Sequence, residues 1–192
     1  LRDGKARGGN TDGRGFLQML SDHGFSPEKK TVTVLGAGGA ARAAVFKLAQ
    51  AGAARIFVCN RTPERAEALA REFPAQITAC AFDEQTLSDC ALFSDLLVNT
   101  TPMGMTAVAE QFQSFDFLAS LPKAAPVCDL IYSPPETELL RRAREQGHRT
   151  INGLGMLIHQ AIFALEAFTD TQIDAETVMP PVEAALKKAM NA

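Results

Sequence analysis

The sequence has no tryptophan, one tyrosine and three histidines in 192 residues, so little of its chemistry can rest on indole, phenol or imidazole. No apolar run approaches the roughly 20 residues that a bilayer-spanning helix needs. The opening, Leu1-Arg2-Asp3-Gly4-Lys5, lacks the apolar stretch of a secretory signal. It lacks an initiator Met as well, which leads to the expectation that the natural protein begins upstream. Neither sign of charge is in excess. With 19 Lys and Arg against 22 Asp and Glu, the net charge of -3 gives no electrostatic reason for a nucleic acid or an anionic membrane as partner. The four cysteines, Cys59, Cys80, Cys90 and Cys128, form no C-x-x-C pair and have no histidine at metal-binding spacing. They read as reduced core thiols of a cytoplasmic protein, and no metal site is expected.

What is present is an ordinary globular composition, 46% hydrophobic and 21% charged, long enough for one large α/β domain over residues 1–192. Short β-rich runs alternate with helical patterns, as in a parallel sheet covered by helices. Strands are predicted at Thr31–Leu35, Arg55–Cys59, Ile77–Ala81, Asp95–Val98, Val127–Ile131 and Thr150–Ile151. Helices are predicted at Thr11–His23, Ala40–Ala51, Pro63–Phe73, Glu136–Gln146 and Leu154–Phe168. A last amphipathic stretch, Ala175–Met190, is expected to be interrupted at Pro180-Pro181. Residues 105–123 read as a loop with one short helix. The fold class is therefore a doubly wound α/β sheet of Rossmann type, with about six mainly parallel strands and helices on both faces.

The strand ending at Leu35 runs straight into Gly36-Ala37-Gly38-Gly39-Ala40-Ala41 and then a helix. In a G-x-G-x-x-[G/A] turn, Gly36 permits the tight bend, Gly38 lets backbone approach a pyrophosphate, and Ala41 lets helix and sheet pack closely. Free N–H groups at the helix start would meet the phosphate charge. A glycine-rich turn can also be only a turn; its place between strand and helix favours dinucleotide binding. The second strand ends at Asn60-Arg61-Thr62, where an NAD site usually has an acidic residue. Asn60 removes that charge, and Arg61 with Arg65 could bind a 2′-phosphate, so the expected cofactor is NADP. Arg65 alone would read sooner as a solvated helix residue.

Several islands resemble the shikimate dehydrogenase family in the family's order. They are Asn10-Thr11-Asp12-Gly13-x-Gly15-Phe16, the glycine turn, Asn60–Arg65, Asn99-Thr100-Thr101-Pro102-Met103-Gly104-Met105, Asp129-x-x-Tyr132-x-Pro134 and Asn152-Gly153-Leu154-Gly155-Met156-Leu157-x-x-Gln160. The resemblance implies reversible NADPH-dependent reduction of 3-dehydroshikimate to shikimate. Without a substrate domain, the apolar faces of the first and last helices are expected to be exposed or covered in a homodimer. It implies Asp12 as a catalytic carboxylate, and Asn10, Asp12, Tyr132 and Gln160 as substrate-binding residues. The glycine turn, Asn60, Arg61, Thr62, Arg65, Thr100, Thr101, Leu130, Gly153, Met156 and Leu157 would hold the cofactor. By the residues alone, Asp12 could equally cap the first helix, and Gln160 could be a core amide satisfied by backbone.

His159 reads as structural or surface, without a visible partner. His23 and His148 read as solvated, and Met103 and Met105 as loop packing.

The family's S-x-N-V-T-x-P-x-K segment, with its substrate-binding Ser and catalytic Lys, has no counterpart. None of Lys5, Lys29, Lys30, Lys47 and Lys123 stands in that context. Residues 1–24 and 154–192 are therefore expected to connect to a substrate domain outside the sequence. The chain alone is expected to bind cofactor with little or no turnover, loss of one catalytic partner removing most of an acceleration. Quinate in place of shikimate, or a non-catalytic NADP-binding module, are the other readings.

Overall fold

Aliphatic and β-branched runs build the centre of the computed structural model, which describes residues 8–190 apart from 74 and 107. In chain order the elements are α1 (Asp12–Asp22), β1 (Thr31–Leu35), α2 (Gly39–Gln50), β2 (Arg55–Cys59), α3 (Pro63–Glu72), β3 (Ile77–Cys80) and α4 (Glu84–Leu92). Then come β4 (Leu96–Asn99), α5 (Phe117–Ser120), β5 (Val127–Asp129), α6 (Glu138–Glu145), β6 (Thr150–Asn152), α7 (Leu154–Thr169) and α8 (Ala175–Met190). The strands form one sheet in the order β3-β2-β1-β4-β5-β6. Every pairing is parallel. The chain thus winds outward in one direction from β1 and in the other from β4, leaving a crevice at the carboxyl ends of these two strands where the winding reverses.

Both sheet faces are covered, which explains the runs with little polar alternation. On one face Val32, Val34, Ile56, Val58, Leu96 and Val98 pack with Phe16 and Leu20 of α1, Ala44 and Leu48 of α2, and Ala66 of α3. On the other, Leu35, Cys59, Leu97 and Val127 meet Leu87 and Ala91 of α4, Phe117 of α5 and Leu140 of α6. The buried Thr33 on this second face is satisfied by Ser94, hydroxyl to hydroxyl at 2.7 Å. No described helix is long and apolar enough to cross a membrane.

Four expectations are corrected. A helix the sequence reading omits, α4, starts on Asp83, whose carboxylate accepts from the Thr86 N–H at 2.9 Å. It buries Leu87, Cys90 and Ala91 at helical spacing. Next, α8 runs through Pro180 and Pro181 without interruption. Its apolar face, Val178, Met179, Val182 and Leu186, packs on the cluster of Leu154, Ile158 and Ile162 of α7, and this packing outweighs the lost N–H groups. His148 is buried rather than solvated, its ring nitrogens 3.2 and 3.3 Å from the carbonyls of Ala125 and Leu118. His159 does have a partner: Nε2 lies 2.6 Å from Asp22 Oδ2, so the pair joins α7 to the end of α1.

Candidate functional site

The glycine turn sits at the reversal point. Gly36 has φ +104, and a Cβ there would lie 2.7 Å from Thr100 Oγ1 and 3.0 Å from Thr101 Cγ2. Only glycine fits, for backbone angle and for space. Thr100 holds this junction by donating its hydroxyl to the Leu35 carbonyl at 2.6 Å. Gly38 and Gly39 differ in kind. A Cβ at either would meet nothing within 4 Å, so the chain itself does not require glycine there. No side chain caps the N-terminus of α2 at Gly38, and its first turn carries no acidic residue. The exposed backbone and uncapped N–H groups suit an anion such as a pyrophosphate. Ala41 is fully buried against the sheet, while Ala37 and Ala40 are partly exposed.

The neighbouring corner lies at the end of β2. Asn60 turns inward on its own loop, its Nδ2 donating to the Thr62 carbonyl at 2.8 Å. Thr62 precedes α3 without capping it through its hydroxyl. Arg61 is half-exposed and forms an ion pair with Glu110 from the segment after β4. These two line a cavity of about 140 Å³ with Phe82, Asp83, Leu87 and Phe112. Arg65 is exposed on α3; its N–H donates to the Thr62 carbonyl at 3.2 Å, and no hydrogen bond or ion pair engages its guanidinium among the described residues. The corner offers two guanidinium groups and no carboxylate from β2 itself.

On the other side of the reversal point a cleft of about 290 Å³ is lined by Ala40, Thr100, Thr101, Pro102, Met105, Leu130, Ile131, Tyr132 and Ser133. It brings Thr100, Thr101, Leu130 and Tyr132 together with the start of α2. Its floor is fixed by a buried network. Asn99 Nδ2 donates to Asp129 Oδ1 at 3.0 Å, and the Thr137 hydroxyl donates to Asp129 Oδ2 at 2.7 Å. The Ile131 N–H donates to Asp129 Oδ1 at 3.1 Å, and the Thr101 N–H and hydroxyl both donate to Asn99 Oδ1. Asn99 and Asp129 are completely buried and paired in register, so they clamp β4 to β5 where both strands turn into cleft loops. The sequence reading contained both residues in its motifs but assigned neither a task.

Burial pushes the Asp129 carboxyl up to about 6, against the lowering effect of its hydrogen bonds from Thr137, Ile131 and Asn99. A carboxyl raised on folding binds extra protons in the folded state. Its contribution to stability is therefore full below the unfolded value near 4 and is lost as pH rises through about 6. Asp129→Asn keeps the Oδ1 acceptor and cannot ionise. The difference in unfolding free energy between parent and variant is expected to move by about 2–3 kcal/mol in favour of the variant between pH 4 and pH 7. Urea midpoints across that range check this, and a pH-independent difference would contradict it.

Gly153, the residue before α7, lies against the opposite wall of this region, where a Cβ would be 2.0 Å from the Leu130 carbonyl oxygen. Met156 packs with the cluster beneath α1, and Leu157 with the cluster shared with α8. Neither lines the cleft.

The third corner joins α1 and α7. Asn10 accepts the Asp12 N–H on Oδ1 at 2.7 Å and shares a cavity of about 370 Å³ with Gly39, Arg42 and Lys47. Thr11, not Asp12, occupies the cap position, so Asp12 begins the helix proper and its carboxylate is not used as a cap. Gln160 lies within 3.5 Å of the Thr11 hydroxyl and donates to the Leu157 carbonyl at 3.1 Å, so backbone satisfies part of its amide. The glycines of the Asn10–Phe16 motif are spacing residues. A Cβ on Gly13 would strike the Ala43 carbonyl at 2.7 Å, and one on Gly15 would meet Met156 O and Gln160 N at 2.8 Å each.

Comparison with known proteins places this geometry. The family model described as shikimate/quinate 5-dehydrogenase matches residues 20–111. The shikimate dehydrogenase (NADP(+)) of Desulforamulus reducens is 40% identical over 172 residues, covering 87% of this chain and 59% of that protein. The crystal structure of shikimate 5-dehydrogenase from Listeria monocytogenes with shikimate and NAD superposes with a TM-score of 0.82 at 29% identity, covering 94% of this chain and 65% of that one. Ligand-free 5-ketofructose reductase of a Gluconobacter species gives a TM-score of 0.76 at 36% identity, covering 92% and 63%. The chain thus spans about three fifths of the length of these relatives. Within that span, with the strand order, the glycine turn and the clamped cleft all in place, the chain is similar to the shikimate dehydrogenases over nearly nine tenths of its residues.

Proposed function

We propose that this chain is the NADP-binding part of a shikimate dehydrogenase, acting in the reversible reduction of 3-dehydroshikimate to shikimate. The observation that carries the reading is the pairing of an open glycine turn at the reversal point with Asn60 where an acidic residue would select NAD, and Arg61 beside it. Bound NADPH would supply the hydride. The N–H groups at the start of α2 would hold its pyrophosphate, and Arg61, Arg65 and Thr62 its 2′-phosphate, with Asn60 beside the ribose. Thr100, Thr101, Leu130 and Gly153 would shape the nicotinamide end, with Met156 and Leu157 behind it. Asp12, uncommitted to capping, is the carboxylate that would accept a proton from a substrate hydroxyl, and Asn10, Gln160 and Tyr132 would orient the substrate.

A carboxylate in this role needs a cationic partner to move the proton. No lysine of the 192 residues, including Lys187 and Lys188 of α8, stands in an S-x-N-V-T-x-P-x-K context. We read residues 1–24 and 154–192, of which 1–7 and 191–192 lie outside the described residues, as the connection to a substrate domain that carries this partner. The likeness to 5-ketofructose reductase favours one second reading, in which the same cofactor half serves a different polyol substrate.

Calorimetric titration tests the proposal. NADP is expected to bind, NAD about tenfold or more weakly, as loss of a charge-assisted phosphate contact dictates. Shikimate is expected to give no heat with the NADP complex and no turnover. Absence of NADP binding would overturn the cofactor assignment. Shikimate oxidation by this polypeptide would overturn the incomplete-site assignment and leave the first intact.

A further inference from the structure

Three of the four cysteines, distant in sequence, meet behind the end of β2. Cys59 and Cys80 face each other in register on β2 and β3, and Cys90 comes from α4. All are free thiols, and the three Sγ atoms lie within 4.8 Å of one another. Cys59 is fully buried and Cys90 nearly so, while Cys80 is half-buried and gives access from solvent. Leu35, Leu87, Ala91 and Leu97 complete the surroundings. No histidine or carboxylate joins the group among the described residues.

We propose that Cys59, Cys80 and Cys90 form a three-sulfur binding site for a trivalent metalloid, arsenic(III) taken up as arsenous acid. Charge and coordination number select this ligand. Structural zinc is closed by four ligands, and only three are here. Three thiolates around zinc would leave a net charge of about −1, and around copper(I) about −2, in an apolar cluster where uncompensated charge is strongly penalised. Arsenic(III) with three thiolates is neutral and three-coordinate, its lone pair filling the remaining direction. In the binding step three As–S bonds form and three As–O bonds break. The three thiol protons leave with the three hydroxides as water, and no electrons are transferred. Bonds similar to the roughly 2.3 Å of metal thiolates need sulfurs roughly 3.5–4 Å apart, within reach of side-chain rotation from the observed grouping.

The site does not depend on the dehydrogenase reading. Its test uses fully reduced protein and arsenous acid, read by native mass spectrometry and by X-ray absorption at the arsenic edge. The expected result is one arsenic per chain bound to three sulfurs and no oxygen. Cys59→Ala, Cys80→Ala and Cys90→Ala are each expected to weaken binding roughly a hundredfold, as loss of one linked ligand should. Cys128→Ala, in a separately buried thiol, is expected to change nothing. An arsenic with two sulfurs and an oxygen in the unaltered protein, no binding at all, or equal dependence on Cys128 would overturn the proposal. The absorption spectrum of the unaltered protein decides even where a variant fails to fold.

Discussion

Replacing Gly153 by alanine is expected to lower the unfolding free energy by about 3 kcal/mol or more, among the larger effects available to one methyl group. Backbone angle is not the cause, since Gly153 has an ordinary φ of -73. The cause is contact: the new Cβ would lie 2.0 Å from the Leu130 oxygen, 2.4 Å from its carbonyl carbon and 3.0 Å from its Cα. All three are main-chain atoms, and main chain cannot swing away as a side chain does. Retreat is blocked from both sides. The Leu130 N–H donates to the Asn99 carbonyl at 2.9 Å, and the Gly153 N–H donates to the Ile131 carbonyl at 3.1 Å. Relief would break either the end of β5 or the entry to α7. Gly38→Ala is the matched control, because its Cβ meets nothing within 4 Å. It is expected to cost about 1 kcal/mol or less in stability while impairing cofactor binding. Urea unfolding of both variants measures the contrast; equal stability of the two would contradict it.

Arg61→Ala is expected to weaken NADP binding about 10- to 100-fold while leaving NAD within about threefold, because a hydrogen bond to a charged group is worth roughly 1.5–3 kcal/mol. The prediction separates a phosphate contact from general loop damage, which would lower both affinities together. In the structure the Arg61 guanidinium is engaged by Glu110, which a 2′-phosphate would have to displace. Exposed pairs contribute only about 0–1 kcal/mol, so Glu110→Gln is expected to tighten NADP by no more than about fivefold. Parallel titrations of both variants with the two cofactors provide the check. Equal losses for NADP and NAD in Arg61→Ala would sink the phosphate role.

The sheet was legible because its strands announce themselves locally. Thr31–Leu35 and Arg55–Cys59 are recovered to the residue from β-branched and aliphatic content bounded by glycine or Asn. The helix α4 was not, although Asp83 with Thr86 carries a capping signal, because its apolar face is made of one Leu, one Cys and one Ala. The glycine turn could be placed from its motif. The reason for each glycine could not, since Gly36 answers to Thr100 and Thr101 from β4 whereas Gly38 answers to no part of the chain. Asn99 and Asp129 looked like members of two separate motifs until register paired them. The same holds for the cysteines, whose spacing lacks any metal pattern because three different elements deliver them. His159 likewise acquires Asp22 only through the packing of α7 on α1.

That packing has a mechanical consequence. Gly13 abuts α2 and Gly15 abuts α7, each at a distance that admits no side chain, so α1 can neither roll about its axis nor slide by a turn. It works as a keyed shaft between its two neighbours. Asp12 therefore keeps a fixed bearing on both the glycine turn and Gln160. If the proposed substrate domain closes on this one, the pivot is expected to lie beyond this three-helix block, and substitutions inside the block should leave it untouched.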